Sequence, residues 1–281
     1  RSRSAPDHRL QHPDAVSAPR PDAAWLRALR QRADSPPRQP RVALWWQGAR
    51  IGSVESELFG HLPLVLQRGL VEPVRRVAEP GWEVRGQLTE SLHELALAMR
   101  DAGLAHVWRD EQLAVNNEHG HEVGTVERAV VRPLGISTSA VHLAGFAPDG
   151  RHWIQQRSFA KANDPGLLDT LVGGMVPARD SLAQALARET WEEAGLKFEQ
   201  LEQLRHGGRL AIRRPSDSGF GGYVVERIEW HRCVVPAGVA PCNQDGEVQE
   251  FRLLTGDEVL ARLLQGEFTL EAASILVEAG L

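Results

Sequence analysis

One stretch constrains this chain more than any other. Residues 173–196 read Gly-Gly-Met-Val-Pro-Ala-Arg-Asp-Ser-Leu-Ala-Gln-Ala-Leu-Ala-Arg-Glu-Thr-Trp-Glu-Glu-Ala-Gly-Leu. Ser181 and Gln184 have the spacing of a capping box, and Gly195 supplies a left-handed stop, so Ser181 to Ala194 is predicted to be a helix. Glu189, Glu192 and Glu193 stand at i, i+3 and i+4, which puts three carboxylates on one face, with Cβ atoms roughly 5–6 Å apart. Unneutralised, they repel; a hard divalent cation with oxygen ligands removes the repulsion. Arg188 is adjacent and can fork onto one carboxylate. Leu182, Ala183, Leu186 and Ala187 are expected to form an apolar stripe that anchors the opposite face to a sheet. Gly173 and Gly174 let the backbone pass close to a metal, with a carbonyl as a further ligand. Alone, an acidic capped helix is more often a solvated surface element.

Around this stretch the texture is that of alternating strands and helices. Ala140 to Ala147 reads as a strand closed by the turn Pro148-Asp149-Gly150, and His152 to Arg157 as its return. Tyr223 to Val235 and Val248 to Leu254 are further strands. Asp257 to Leu264 and Leu270 to Ala279 read as closing helices. Upstream, Val42 to Trp46 reads as a strand, and Leu58 to Leu70 is apolar but broken by turns. Leu92, Leu95, Ala96 and Met99 repeat at helical spacing, with Thr89 or Ser91 as the expected N-cap and Gly103 as the stop. Residues 1–41 are rich in Arg, Pro, Ser and Asp and are expected to form a flexible tail. Within it, a short helix capped by Asp22 would place Trp25, Leu26 and Leu29 on one face.

Residues 174–196 resemble the Nudix box: Gly, five residues, Glu, seven residues, Arg-Glu, a bulky apolar residue, one residue, Glu-Glu, one residue, Gly and an aliphatic residue. The spacing fits throughout. Asp180 stands where the family usually has Glu, one methylene shorter, so its salt bridge to Arg188 is expected to be weak. Thr190 replaces an aliphatic residue. The resemblance implies that Glu189, Glu192 and Glu193, with the carbonyl of Gly173, hold Mg²⁺, with Mn²⁺ as the alternative. It implies attack of water on phosphorus of a small organic diphosphate, with Glu189 or Glu247 as base and Arg188 as partner of the glutamates. Arg157 and Lys161, a fork donor and a point charge four residues apart, suit the diphosphate. His142 alternates with Val141 and Leu143 and is expected in the core or behind the site. Further matches lie at Trp108-Arg109-Asp110-Glu111, Val126-Glu127-Arg128-Ala129, Gly135-Ile136, Val141 to Gly145, Pro165 to Asp169 and Asp245 to Val248. Together they are similar to the Nudix subfamily that has its own N-terminal domain and is fused to thiamine pyrophosphokinase in some fungi. That likeness implies thiamine diphosphate or an oxidised analogue as substrate.

The expected architecture is therefore α/β: a Nudix α/β/α sandwich around a mixed sheet over residues 125–281, preceded by a smaller α+β domain over residues 42–124. A formal charge of −5 gives no case for nucleic-acid binding. No apolar run reaches the roughly 18–20 residues of a membrane span. Cys233 and Cys242 form no zinc pattern and no disulfide framework, so a reducing, cytoplasmic setting is expected. The partner expected is a small diphosphate, and a homodimer is compatible with this reading. Two rivals share the fold. An isopentenyl-diphosphate isomerase needs a catalytic Cys and Glu, and both cysteines follow the box. A non-catalytic ligand-binding regulator would not need the intact Arg-Glu-x-x-Glu-Glu. Trp45, Trp46, Trp82 and Trp108 either fill the first domain's core or form a platform for a flat heterocycle.

Overall fold

The computed structural model describes residues 21–76, 79–216 and 222–281. The flexible tail expected over residues 1–41 lies outside the described residues as far as residue 20. From there the chain forms α1 (Ala23–Ala33), whose N-cap Asp22 accepts a hydrogen bond from Trp25 N at 2.7 Å. It buries Leu29 against the second core described below, so this part of the chain is docked rather than a free tail.

The next segment contains β1 (Arg41–Trp46), β2 (Ala49–Glu55), α2 (Pro63–Gln67), β3 (Val71–Arg76), β4 (Glu79–Val84) and α3 (Leu88–Asp101). It ends in the hairpin strands β5 (Gln112–Asn116) and β6 (Glu122–Glu127). Among the described residues the strands form a sheet in the order β2-β1-β4-β3, with β1 and β4 parallel. Leu88, Leu92, Leu95, Ala96 and Met99 of α3 are buried in its core. The helix starts a turn earlier than the cap residues suggest. Ser91 Oγ donates instead to Arg85 O, and Thr89 Oγ1 accepts from Thr125 N at 3.0 Å. Gly103 ends the helix as expected, at φ +71°. This first core also takes in Val126, Val130, Val131, Leu134 and Ile136.

The second half contains β7 (Thr138–Phe146), β8 (His152–Arg157), β9 (Leu168–Asp169), β10 (Val172–Met175), α4 (Leu182–Ala194), β11 (Glu202–Pro215), β12 (Tyr223–Val234) and β13 (Val248–Leu254). It closes with α5 (Gly256–Leu264) and α6 (Leu270–Glu278). The sheet order is β11-β12-β7-β8-β13, with β10 on β7 and β9 on β8. Only the β12–β7 pair of that order is parallel, so the sheet is mixed. Alternation along β7 sorts the layers. Val141 and Leu143 pack with Leu186 of α4, while Ala140 and Ala144 share a core with α5, α6 and α1. This is the expected α/β/α sandwich around a mixed sheet. No helix among the described residues is long and apolar enough to cross a membrane.

Candidate active site

Local sequence fixes α4 before any tertiary contact is made. Gln184 N donates to Ser181 Oγ at 3.3 Å, and Ser181 N donates to Gln184 Oε1 at 2.9 Å. Gly195 closes the helix at φ +61°. The buried face differs from the expected stripe. Ala185, Leu186, Thr190, Glu193 and Ala194 point inward, whereas Leu182 is 39% exposed and Ala183 and Ala187 face solvent. The helix is rotated because Glu193 satisfies polar groups of the sheet edge, and Thr190 fills the inner position between. The Thr190 hydroxyl donates to Leu186 O at 2.6 Å, which makes a polar residue tolerable there.

The three glutamates occupy three environments. Glu193 is 1% exposed; its Oε2 accepts from Gly173 N at 2.9 Å and from Gln155 Nε2 at 3.0 Å. Burial pushes its carboxyl up to about 7, against the pull of Lys161 and the Gly173 N–H. Glu189 lies flat on Gly174: a Cβ on that glycine would sit 2.3 Å from Glu189 Cδ. Burial first, then the charge of Glu193, pushes Glu189 up to about 8, against Arg188. Glu192 is the outermost and accepts from Arg188 Nη1 at 2.7 Å. Arg188 also donates to Glu189 Oε1 at 3.0 Å and, through Nε, to Asp180 Oδ2 at 2.9 Å. The weak Asp180–Arg188 bridge inferred from the shorter carboxylate is therefore corrected. Asp180 sits just before the N-cap, and the long arginine side chain supplies the missing reach.

Lys161 comes from the loop after β8 and lies between two carboxylates, 3.4 Å from Glu193 Oε1 and 2.5 Å from Glu247 Oε2. Burial raises the Glu247 carboxyl, but Lys161 outweighs it and holds Glu247 below its ordinary value. Arg157 lines the same cleft, with its guanidinium turned to the loop beside it. It donates to Asp169 Oδ2 at 3.1 Å, Asp164 O at 3.2 Å and Asn163 O at 3.1 Å. His142 is buried beneath Gly173, with Nδ1 3.0 Å from Thr170 Oγ1. Burial lowers its pKa despite nearby Asp169, which favours the neutral ring. All the candidate residues except the buried Glu193 line one polar cleft of ≈ 230 Å³, and Glu193 lies against its wall through Gly173 and Lys161.

The cleft also holds Glu111, Arg128 and Asp169, which the sequence offered only within the further family matches and with no role, and Arg132, Glu226 and Glu271, which it did not single out. For Glu226 a signal existed, since it shares a strand face with Val224, Ile228 and Trp230, which are buried and apolar. Of the two readings of Trp45, Trp46, Trp82 and Trp108, core filling or a platform, the platform is not seen: none of the four lines the cleft. Trp46, Trp82 and Trp108 pack on the first core, and Trp82 meets Phe59 edge-on at 4.9 Å. The first segment instead reaches the cleft through Glu111, paired with Arg128 at 2.8 Å. Cys233 is buried in the core beneath α4, Cys242 is exposed, both are free thiols, and neither lines the cleft.

The donors fit a hard divalent cation in kind: oxygens only, a glycine backbone without a Cβ in the way, and a buried Gln155 Oε1 beside Glu193 with no hydrogen-bond partner. Among the described residues, no three such side chains converge as a ready ligand cage. Arg188 and Lys161 neutralise the carboxylates where they stand.

Residues 136–273 match the NUDIX domain. An uncharacterized Nudix hydrolase of Streptomyces coelicolor is 33% identical over 132 residues, covering 43% of this chain and 73% of that protein. Nudix hydrolase 24, chloroplastic, of Arabidopsis thaliana is 30% identical over 158 residues, 54% of this chain and 42% of that protein. The chain belongs to the Nudix hydrolase family. It spans about half the length of the first curated relatives it matches, 42% of one Arabidopsis protein and 51% of another. A crystal structure of a Deinococcus radiodurans protein aligns over 59% of this chain and 98% of that one, at 22% identity and a TM-score of 0.48.

Proposed function

We propose that the chain hydrolyses a phosphoanhydride bond in a small organic diphosphate, with Glu189, Glu192, Glu193 and the Gly173 carbonyl holding Mg²⁺ or Mn²⁺. The observation that carries this reading is Glu189 lying directly on the Gly174 backbone inside a polar cleft, with Glu193 anchored on the Gly173 N–H beside it. A bound divalent cation would neutralise phosphate charge and lower the pKa of a bound water. The chain's own residues do the rest. Gly173 N–H and Gln155 fix Glu193, and Arg188 joins Asp180, Glu189 and Glu192 into one charged network. Lys161 brings a positive charge to the phosphate end. Arg157 positions the loop that carries Lys161. Glu189, which lies on the Gly174 backbone inside the cleft, is the first candidate for the base, and Glu247, beside Lys161 on the later loop, is the second.

The finer assignment is a thiamine-type diphosphate, as implied by the likeness to the subfamily fused to thiamine pyrophosphokinase. The isomerase alternative is not better supported, since neither cysteine lines the cleft. Two free thiols are consistent with a reducing, cytoplasmic setting. The test is phosphate release with Mg²⁺ from a panel of diphosphates, comparing the unaltered chain with Glu189→Gln and Glu193→Gln. Both variants should fold, and Glu189→Gln should lose on the order of 10²–10⁴-fold in kcat. Near-normal turnover of Glu193→Gln would overturn the metal assignment.

A further inference from the structure

Beside the cleft lies a second cavity of ≈ 220 Å³, bounded by the end of the first segment, the Lys161 loop and the end of β10. Arg128, Arg132, Asn163 and Met175 line both spaces, so the two share a wall, and Met175 directly follows Gly174 along β10. Their charges differ. In the cleft, carboxylates outnumber the Arg and Lys side chains. The side cavity gathers the guanidinium groups of Arg109, Arg128 and Arg132, with His106 beside them, and no carboxylate is among its lining residues. Apart from Asn163 the rest of its lining is apolar. Like charges held around one low-dielectric space focus a field that favours an anion and repels a cation.

The guanidinium groups are held in different ways. Arg128 Nη1 donates to Glu111 Oε2 at 2.8 Å, and Arg132 Nη1 donates to Asn163 Oδ1 at 3.0 Å. The Arg109 guanidinium makes no hydrogen bond or ion pair among the described residues, and its charge reaches Glu247 only at longer range. Its backbone is nevertheless fixed. Arg109 N donates to Glu127 Oε1 at 3.1 Å, and the same oxygen accepts from Ala129 N at 3.3 Å. Glu127 is 1% exposed, so one buried carboxylate ties the loop that carries Arg109 to the turn that carries Arg128. A tethered cation with unused donors is preorganised for a ligand. Guanidinium forks match phosphate oxygens, two N–H groups to two oxygens. We propose that this side cavity is a phosphate site, in which Arg109, Arg128 and Arg132 receive the inorganic phosphate released in the cleft. The source of the phosphate rests on the reading of the cleft as a hydrolytic site; the anion site itself rests on the cavity alone.

Binding can be measured apart from turnover, by calorimetric titration of the metal-free full chain with inorganic phosphate. The unaltered chain should bind it. Arg109→Gln removes the unpartnered cation, and Val107→Glu places a carboxylate in the cavity wall, where Val107 is 56% exposed. Each should weaken binding about tenfold or more, the size of a lost charge-assisted bond. Val107→Gln, of the same shape without the charge, should keep it. Both positions are at the surface, and cooperative melts would verify that the variants fold. No binding by the unaltered chain, or equal binding by Arg109→Gln and Val107→Glu, would overturn the proposal; the second result would put the phosphate in the cleft. Kinetics separate the source. Added phosphate should inhibit turnover of the unaltered chain, and Arg109→Gln should relieve that inhibition about tenfold. If Arg109→Gln instead lowers kcat/KM only on a nucleoside diphosphate that carries a further 3′-phosphate, the cavity serves a second phosphate of the substrate, and the assignment to released phosphate fails. A chain that binds phosphate as expected but hydrolyses no diphosphate would leave the anion site standing and remove the proposed hydrolysis, and with it the source.

Discussion

At the scale of single residues, the site stores unfavourable charge. Glu193 and Glu189 have folded-state pKa values raised to about 7 and about 8, from an ordinary value of 4.5. A carboxyl raised on folding binds its proton more tightly in the folded chain. Its stabilising contribution is therefore full below about pH 4.5 and is lost as pH rises through the folded value. The metal-free chain should be less stable at pH 8 than at pH 5.5, with Glu193 alone contributing at most about 2 kcal/mol of the difference. Mg²⁺ should restore much of the loss at pH 8 and little at pH 5.5, as read by thermal melts. An equal Mg²⁺ effect at both pH values would mean that these carboxylates are not the ones neutralised. Asp180 is the second test at this scale. Its carboxylate meets Arg188 Nε at 2.9 Å with both side chains largely buried. Asp180→Asn should lower kcat by about tenfold, since a charge-assisted bond contributes roughly 1.5–3 kcal/mol. Unchanged kinetics would show that Glu189 and Glu192 hold Arg188 without it.

At the scale of elements, the β10 strand and α4 act as one unit, because the strand's missing Cβ is what lets Glu189 lie down. Gly174→Ala places a methyl 2.3 Å from Glu189 Cδ, the far end of a flexible side chain. Glu189 can swing away, so stability should change by less than about 1 kcal/mol. Turnover should nevertheless drop more than about tenfold, because positioning is lost. A variant that is destabilised and yet fully active would reverse the reasoning. These local devices were legible in the sequence: the cap, the stop, the glycine pair and the carboxylate spacing all act within a few residues. β11 was not. It is an edge strand with mostly exposed residues, and Gly207-Gly208 hides any alternation. Those glycines answer a partner on the neighbouring strand, since a Cβ on Gly207 would strike the Trp230 ring at 2.1 Å. The rotation of α4 was hidden for the same reason. Which face is inward depends on Gly173 N–H and Gln155 waiting for Glu193, and those groups lie on β10 and β8. Glu111, Arg128 and Arg132 reach the cleft only through the placement of the first segment against the second.

At the scale of the whole molecule, that placement decides whether the catalytic half stands alone. A chain truncated to begin at Thr125 would start inside β6, which pairs with β5. Val126, Val130, Val131, Leu134 and Ile136 would lose the first core, into which they are packed at 3% exposure or less. Exposing five such side chains costs on the order of 10 kcal/mol, which is comparable to the entire stability of an ordinary domain. Ser53 N would no longer donate to Leu134 O at 2.9 Å, nor Arg41 to Pro133 O at 2.7 Å. Glu111 would be lost from the cleft, and with it the partner of Arg128. α1 would go as well, taking Ser35 O from Tyr223 Oη and Asp34 from Arg213. The expected outcome is a truncated chain without a cooperative melt and with turnover reduced more than about 100-fold on every diphosphate, thiamine-type or simple. The full chain should melt in a single transition. A substrate-selective loss, with the truncated chain still melting cooperatively, would instead make the first segment a detachable selector of the organic group. Calorimetry of both chains, followed by kinetics on one heterocyclic and one alkyl diphosphate, separates the two outcomes.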